Sequence, residues 1–426
     1  MYNYKKVVLD NGIRLYVHSD KTMKKTVVSY TLEYGHQGQY YKFNYDGKDY
    51  EVLPGCAHFL EHTLLERSRY GDLYIYFKSL KYQSNAYTSL NKTKFFFSGT
   101  KCIKSSIRKM INAIEKPVFN EEDIKFVSRA VIEETKRGLD NSYFQAFLLS
   151  IRNVFNSFEF INSDLSTIGT KETTEKLDYN MLKLCYDAFY SDDRKIISIT
   201  GPIEEDDMIK YIKDIYSKIP KHENKTKVYI PDDLRTVRKK EDVLVKDNVE
   251  DDMISIYYNE YIEGYSIYEI YTYLGFLFLS KFSTKSEFYD RLKKEGILLS
   301  YEGYDMDHAY TDSNFYFGSS YIVRDKEKFL KEYYKEIENN NFTERDFELF
   351  KKSKLSDEVY KSQDKYYFYT YFPDMIIDYN QEIDFVTEIK KLSFDRFIEF
   401  YNQIDFNNKI ITLLTKEGYE EQKKYS

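Results

Sequence analysis

Apolar residues recur along the chain at two kinds of spacing, and segments with the one kind follow segments with the other in no fixed order. Spacings of two and short apolar runs predict strands in the first half at residues 6–9, 13–18, 26–33, 85–90, 94–98 and 195–200. Spacings of three and four predict helices there at residues 57–66, 103–114, 121–137, 178–189 and 204–219. Because strands and helices are mixed without strict alternation, the pattern favours an α+β fold over a doubly wound sheet.

The second half of the chain repeats this coarse order of elements. Strands are predicted at residues 253–258, 298–304, 315–320 and 409–414, and helices at 265–282, 325–339, 344–363 and 394–403. Around the boundary between the halves, residues 220–251 form a charged segment that carries two prolines and little apolar periodicity. We therefore predict a duplicated fold with an N-terminal half at residues 1–222, a linker at 223–250 and a C-terminal half at 251–426.

Composition excludes several classes of protein. Hydrophobic residues make up 42% of the chain, with 45 Tyr and 31 Phe, which is too much apolar and aromatic content for a disordered protein. Three Cys cannot form a disulfide framework and indicate a reducing compartment. The balance of 63 basic and 70 acidic residues argues against nucleic acid as a partner.

The sequence leads us to expect neither a signal peptide nor a membrane span. The basic residues near the start are not followed by an apolar run. The longest apolar stretch, residues 273–279, is too short to cross a bilayer. We therefore expect a soluble, cytoplasmic protein.

One segment concentrates residue types that bind and use a metal ion. Pro54 and Gly55 precede a run of helix formers that contains His58, Glu61 and His62. On a helix the two His residues lie one turn apart on the same face, so both imidazoles can bind one zinc ion at about 2.0–2.1 Å. Glu61 lies in the same sector, where it can take a proton from a water on the metal. The H-x-x-E-H spacing is typical of inverted zinc peptidases, although two surface or capped His residues would also satisfy it.

A catalytic zinc ion needs three protein ligands and an open position, so a third ligand must come from elsewhere. On the predicted helix at 121–137, an apolar stripe formed by Ile124, Val127 and Val131 continues to Glu134. A carboxylate on an apolar face is costly to bury unless a charge compensates it, and a metal ion does so. Glu134 is therefore the candidate third ligand, and a salt-bridged acid near the helix end is the alternative.

These residues and their surroundings resemble the pitrilysin/insulinase-type zinc peptidases. The resemblance rests on the runs GCAHFLEHTLLE, SNAYTSLNKT, VIEE and ITGP. It implies that His58, His62 and Glu134 bind Zn²⁺ and that Glu61 is the general base. It also implies two related αβ-roll halves, with mixed or antiparallel sheets and helices packed on one face, as in single-module bacterial processing peptidases. The N-terminal half would then be catalytic, and the C-terminal half would shape a substrate chamber and partner contacts.

The resemblance implies hydrolysis of peptide bonds. Asn85, Ala86 and Tyr87 match the strand that pairs with an extended substrate in this family, although an ordinary inner hairpin strand is the alternative. Short or unfolded peptides, including leader or modified peptides, are the expected substrates. A non-catalytic or scaffold subunit of a processing-peptidase complex is the alternative function, and a zinc hydrolase of unrelated fold is a third.

Two departures from the family pattern concern residues that support the metal and the substrate. Many members carry an acid seven positions before the third ligand, where this chain has Val127. Second halves of members often carry an Arg and a Tyr that bind substrate, and the corresponding stretch from Arg291 to Tyr301 does not match that pair. We therefore expect a homologous zinc-less subunit to supply the pair in a heterodimer. A homodimer, or a monomer that binds substrate through Tyr301 or Tyr304, is the alternative.

Overall fold

The computed structural model describes residues 4–37, 40–155, 169–230, 234–309, 311–363 and 365–416. Contacts group the chain into two compact units, each assembled from three segments. Unit 1 comprises Met1–Lys136, Ser166–Tyr229 and Glu358–Asp384. Unit 2 comprises Arg137–Leu165, Ile230–Asp357 and Phe385–Ser426. The predicted division at residues 223–250 cuts the chain once. The contact-based units differ, because unit 1 also includes Glu358–Asp384 and unit 2 also includes Arg137–Leu165.

Strands and helices occupy most of the described chain. In chain order the described strands are β1 (Lys5–Val8), β2 (Arg14–Ser19), β3 (Thr26–Leu32), β4 (Lys42–Tyr45), β5 (Lys48–Glu51), β6 (Gln83–Thr88), β7 (Thr93–Gly99), β8 (Lys195–Gly201), β9 (Thr226–Val228), β10 (Glu241–Val245), β11 (Asp252–Tyr261), β12 (Leu298–His308), β13 (Asn314–Val323) and β14 (Lys409–Thr415). The described α-helices are α1 (Cys56–Glu66), α2 (Leu73–Ser79), α3 (Ile103–Glu115), α4 (Glu121–Leu139), α5 (Ser142–Val154), α6 (Lys171–Lys176), α7 (Tyr179–Phe189), α8 (Glu205–Tyr216), α9 (Ile267–Lys281), α10 (Glu287–Lys294), α11 (Lys326–Glu338), α12 (Glu344–Gln363), α13 (Lys365–Asp378), α14 (Phe385–Lys391) and α15 (Phe394–Tyr401).

The main sheet of unit 1 joins described strands in the order β1–β2–β8–β3–β7–β6. β2 and β8 run parallel, and the other neighbours run antiparallel. Every residue of β3 and β8 is buried, so these two strands form the centre of the core of unit 1. A smaller sheet of order β5–β4–β9 lies in the same unit.

The sheet of unit 2 has the order β10–β14–β11–β13–β12. Here β10 and β14 run parallel, and the other described neighbours run antiparallel. If the strands of each sheet are ranked by their position in the chain, the order β10–β14–β11–β13–β12 in unit 2 is the same as the order β2–β8–β3–β7–β6 in unit 1. The shared pattern is what two related halves require, and the predicted α+β class with mixed sheets is confirmed.

The chain passes from one unit to the other at two long helices, α4 and α12, and the helix that follows each of them belongs to the unit that the chain then enters. After α4, the segment that carries α5 packs on β11 and β14 of unit 2. After α12, the segment that carries α13 packs on β3 and β8 of unit 1. In unit 1, Tyr87 contacts Asp374 of α13 while Thr88 contacts Glu61 of α1. Because neighbouring strand residues point to opposite faces, α1 and α13 contact the sheet from opposite faces at this end of β6.

The segment predicted as a linker contributes one strand to each unit. Its β9 pairs with β4 in unit 1, and its β10 pairs with β14 in unit 2. Across the described ranges, no helix combines the length and the apolar character that crossing a bilayer requires.

Candidate metal centre

Helix α1 begins where the sequence predicts, directly after Pro54 and Gly55. Gly55 has a φ of 98°, a left-handed conformation that favours glycine. Most of the helix is buried, including His58 and Glu61. It packs against β6, β7 and α7 within unit 1, and this packing fixes the direction of its side chains.

His58, His62 and Glu134 meet at one place in unit 1. The Nε2 atoms of the two His residues are 3.2 Å apart. Glu134 Oε2 lies 3.3 Å from His62 Nε2, and Glu134 Oε1 lies 3.8 Å from His58 Nε2. One ligand atom from each residue falls within 4.8 Å of the others, and no other group of three such side chains occurs in the described part of the chain.

Helix α4 brings Glu134 to this cluster. Asn120 caps the helix, because its Oδ1 accepts hydrogen bonds of 2.8 and 3.2 Å from two backbone amides of the first turn. Val127 and Val131 are buried, as the predicted stripe requires. Glu134 continues the stripe while 54% of its side chain stays exposed. The cluster is therefore accessible from solvent, which a catalytic metal site needs.

The donor set fits a divalent cation such as zinc. Two imidazole nitrogens and one carboxylate oxygen are the ligands of many three-ligand zinc sites. Burial, together with the neighbouring His62, lowers the pKa of His58 to about 4, so its imidazole is neutral and able to bind a metal. Burial also opposes protonation of His62, but hydrogen bonds to Glu134 and Glu66 outweigh it and raise the pKa to about 10. Without a metal, a proton on His62 thus supplies the positive charge that these carboxylates attract.

Glu61 lies beside the cluster without joining it. Glu61 is only 4% exposed, and Thr88 Oγ1 donates a 2.7 Å hydrogen bond to its Oε2. Burial raises the pKa of Glu61 to about 7, although the hydrogen bond from Thr88 opposes the shift. A carboxyl group with this pKa, beside a metal site, is suited to accept and return a proton at neutral pH.

Two residues that contact this group were not predicted from the sequence. Thr88 holds Glu61, and it stands in the SNAYTS run that carried part of the resemblance. Glu66 lies one turn after His62, and its Oε1 is 2.8 Å from His62 Nδ1. The four-residue spacing was the available signal, because such residues share one face of a helix.

The candidate substrate-binding residues occupy two strands. Asn85, Ala86 and Tyr87 lie on β6, where Asn85 is exposed, Ala86 is buried, and the Tyr87 hydroxyl donates a hydrogen bond to Asp374. β6 is one of the two edge strands of its sheet among the described strands, so its edge can pair with an extended peptide. Tyr301 lies on β12 in unit 2, and its buried hydroxyl has no hydrogen-bond partner among the described residues. The roles of these four residues in substrate binding stay predictions.

Comparison with solved structures places the fold in one class. The chain matches an M16-like peptidase from Alicyclobacillus acidocaldarius with a TM-score of 0.86, at 17% identity over 98% of this chain and 99% of that one. A structure of complex III from Candida albicans contains a chain that matches with a TM-score of 0.70, at 12% identity over 97% of this chain and 96% of that one. The fold is therefore that of M16-type peptidases, and chains of this fold also occur in multi-subunit complexes.

Sequence comparison agrees with the fold. A family model described as the M16 peptidase inactive domain matches residues 176–354. The chain is 27% identical over 214 residues to the uncharacterized zinc protease YmfH of Bacillus subtilis (strain 168). That match covers 50% of this chain and 49% of YmfH, so the chain spans about half the length of this relative. With the fold, these matches make the chain similar to the M16, or pitrilysin-type, peptidases.

Proposed function

We propose that this chain is a zinc metallopeptidase that hydrolyses peptide bonds in short or unfolded peptides. The observation that carries the proposal is the meeting of His58, His62 and Glu134, with the buried carboxyl group of Glu61 beside them. The relative YmfH is named a zinc protease, which supports both the metal and the reaction.

The side chains divide the work between holding the metal and moving a proton. His58, His62 and Glu134 would hold zinc, which when bound supplies Lewis acidity that polarises the scissile carbonyl and makes water more acidic. Glu61 accepts the proton of the attacking water and returns it to the leaving amine. The hydrogen bond from Thr88 engages Oε2 of Glu61 and so directs its other oxygen toward proton transfer.

The open edge of β6 supports the proposed class of substrate. An extended peptide can add to such an edge through backbone hydrogen bonds, which tolerate many side chains. An unfolded segment can adopt this conformation, whereas a folded protein would first have to expose one. Leader segments and modified peptides meet the requirement.

We further propose that a homologous zinc-less subunit completes the substrate site with an Arg–Tyr pair. Tyr301 is poorly placed to replace the tyrosine of that pair, because its hydroxyl is buried and the centre of its ring lies 5.5 Å from the ring centre of Tyr321. The fold-related chain in complex III supports assembly with other subunits as a property of this fold.

A non-catalytic or scaffold role is the second candidate. The match to a family model described as an inactive domain favours it. That match covers residues 176–354, and none of His58, Glu61, His62 and Glu134 lies within it. The match therefore carries no information about the metal centre, and the presence of all four residues favours the enzyme.

The test is digestion of an unstructured peptide library by the zinc-loaded chain, alone and with a co-expressed homologue that lacks the motif. We expect cleavage by the wild type and a loss of at least about 100-fold in Glu61→Gln, with unchanged zinc content. The matched control is Glu133→Gln, which alters an exposed acid bonded to Lys136 on α4 and should retain activity. Equal cleavage by the wild type and Glu61→Gln contradicts the role of Glu61. Absence of cleavage in every combination, with zinc bound, favours the scaffold.

A further inference from the structure

Beyond the three candidate ligands, one carboxylate contacts the far side of a ligand ring. Glu66 is the last residue of α1, and His58, His62 and Glu66 follow one another at four-residue spacing on one face. Glu66 Oε1 lies 2.8 Å from His62 Nδ1, and both side chains are less than one fifth exposed. The pair is therefore shielded enough for the hydrogen bond to hold the ring.

The chemistry of this contact fixes the ring of His62. An ionised carboxylate can only accept a hydrogen bond, so His62 Nδ1 must carry the hydrogen. When the ring is neutral, as metal binding requires, its lone pair is then on Nε2, the atom that faces Glu134 and His58. His58 differs, because its buried Nδ1 has no hydrogen-bond partner among the described residues. Only one of the two imidazoles is thus oriented from behind.

Glu66 is not itself a ligand in this arrangement. Its carboxylate binds the nitrogen of His62 that points away from the cluster, and it falls outside the group of convergent ligand atoms. The adjacent Arg67 is directed elsewhere, with its guanidinium 3.4 Å from the ring centre of Phe126 and 3.8 Å from Asp123. The charge of Glu66 is therefore directed at His62.

We propose that Glu66 is the positioning residue of the metal centre: it fixes the tautomer and the orientation of His62 and makes that imidazole a stronger ligand. The inference rests on the proposed function only for the presence of a metal. It also accounts for Val127, which stands where many family members carry an acid and which is fully buried here. In this chain the supporting carboxylate comes from α1, the helix that carries both His residues.

Zinc affinity, measured by competition with a chromophoric chelator, tests the proposal without relying on turnover. Loss of such a supporting carboxylate weakens metal binding by about 10–100-fold, and we expect this for Glu66→Leu. Glu66→Gln keeps a neutral acceptor for His62 Nδ1 and should recover part of the affinity. Glu133→Leu removes an exposed acid from α4 and should bind zinc within about twofold of the wild type. The visible spectrum of the cobalt-loaded protein should change in Glu66→Leu and stay unchanged in Glu133→Leu.

The outcomes separate this proposal from that of hydrolysis. Zinc affinity of Glu66→Leu and Glu66→Gln within about threefold of the wild type overturns the role of Glu66, even if the wild type is an active peptidase. Weakened affinity in Glu66→Leu supports it, even if no peptide is cleaved. A wild type that binds no zinc overturns both. If Glu66→Leu melts early without metal, Glu66→Gln decides alone, because loss of the charge should still weaken binding severalfold.

Discussion

Replacing Asp374 by alanine should destabilise unit 1 strongly. Both of its carboxylate oxygens lie 3.1 Å from Lys94 Nζ, and it also accepts a hydrogen bond from Tyr87. The side chain of Lys94 is 0% exposed and that of Asp374 only 7%. The substitution therefore leaves a buried ammonium group without its nearest counter-charge.

Two independent limits give the magnitude. Breaking a buried ion pair by removing one partner costs about 3–5 kcal/mol. Lys94 can instead lose its proton, since burial already lowers its pKa from the ordinary 10.5 despite the attraction of Asp374. Neutralising a group of that ordinary pKa at pH 7 costs about 4.8 kcal/mol, at 1.36 kcal/mol per pH unit. We therefore expect a loss of about 3–5 kcal/mol and a Tm lower by about 10 °C.

The pH dependence separates this mechanism from simple loss of packing. In Asp374→Ala the folded-state pKa of Lys94 is depressed, so between that pKa and 10.5 the unfolded chain binds more protons than the folded one. Stability then rises with pH, and the deficit should shrink between pH 7 and about pH 10. A cavity alone would give a deficit that does not depend on pH.

Urea unfolding followed by circular dichroism at both pH values measures the effect. The control is the double variant Lys94→Met/Asp374→Asn, which removes both charges and keeps an acceptor for Tyr87. It should recover to within about 1–2 kcal/mol of the wild type. A loss below about 1 kcal/mol in Asp374→Ala, or a loss that is the same at both pH values, would show that a buried unpaired charge on Lys94 is not what destabilises the variant.

Two further predictions concern single side chains. Thr88→Val should lower kcat about tenfold with unchanged KM and zinc content, because Glu61 loses the bond that orients it. Thr88→Ser keeps the hydroxyl and should restore most of the rate, and equal kcat in both variants would contradict this role. In unit 2, burial and the nearby Asp405 raise the pKa of Glu260 from 4.5 to about 8. Since the folded state then binds this proton more tightly, stability should fall as pH rises from about 4.5 through about 8. Glu260→Gln should flatten the fall in urea unfolding, and a profile identical to that of the wild type would argue against it.

The parts of the candidate site that depend on local sequence could be predicted. The structure extends the helix predicted at residues 57–66 by one residue, to give α1, and the helix predicted at 121–137 by two residues, to give α4. Once both helices are in place, periodicity alone puts the two His residues on one face and Glu134 at the end of an apolar stripe. Local patterning therefore predicted the three residues that now lie together.

The contacts that support the site lay outside the reach of local patterns. Lys94 and Asp374 are 280 positions apart, and no periodicity links them. The helix that carries Asp374 also contains Pro373, which removes a backbone donor and argues against a helix when the sequence is taken alone. The sequence places Glu66 one helical turn after His62. An acidic side chain at that spacing can point to solvent as readily as it can contact the His ring, so the spacing alone does not predict the contact. Packing in unit 1, rather than propensity, decides both cases.

The most direct measurement is anomalous diffraction at the zinc absorption edge from crystals of the zinc-loaded chain. We expect one strong peak at about 2.0–2.2 Å from Nε2 of His58, Nε2 of His62 and a carboxylate oxygen of Glu134, with Glu66 on the far side of His62. A peak bound by other residues, or no peak between these three side chains, would contradict it.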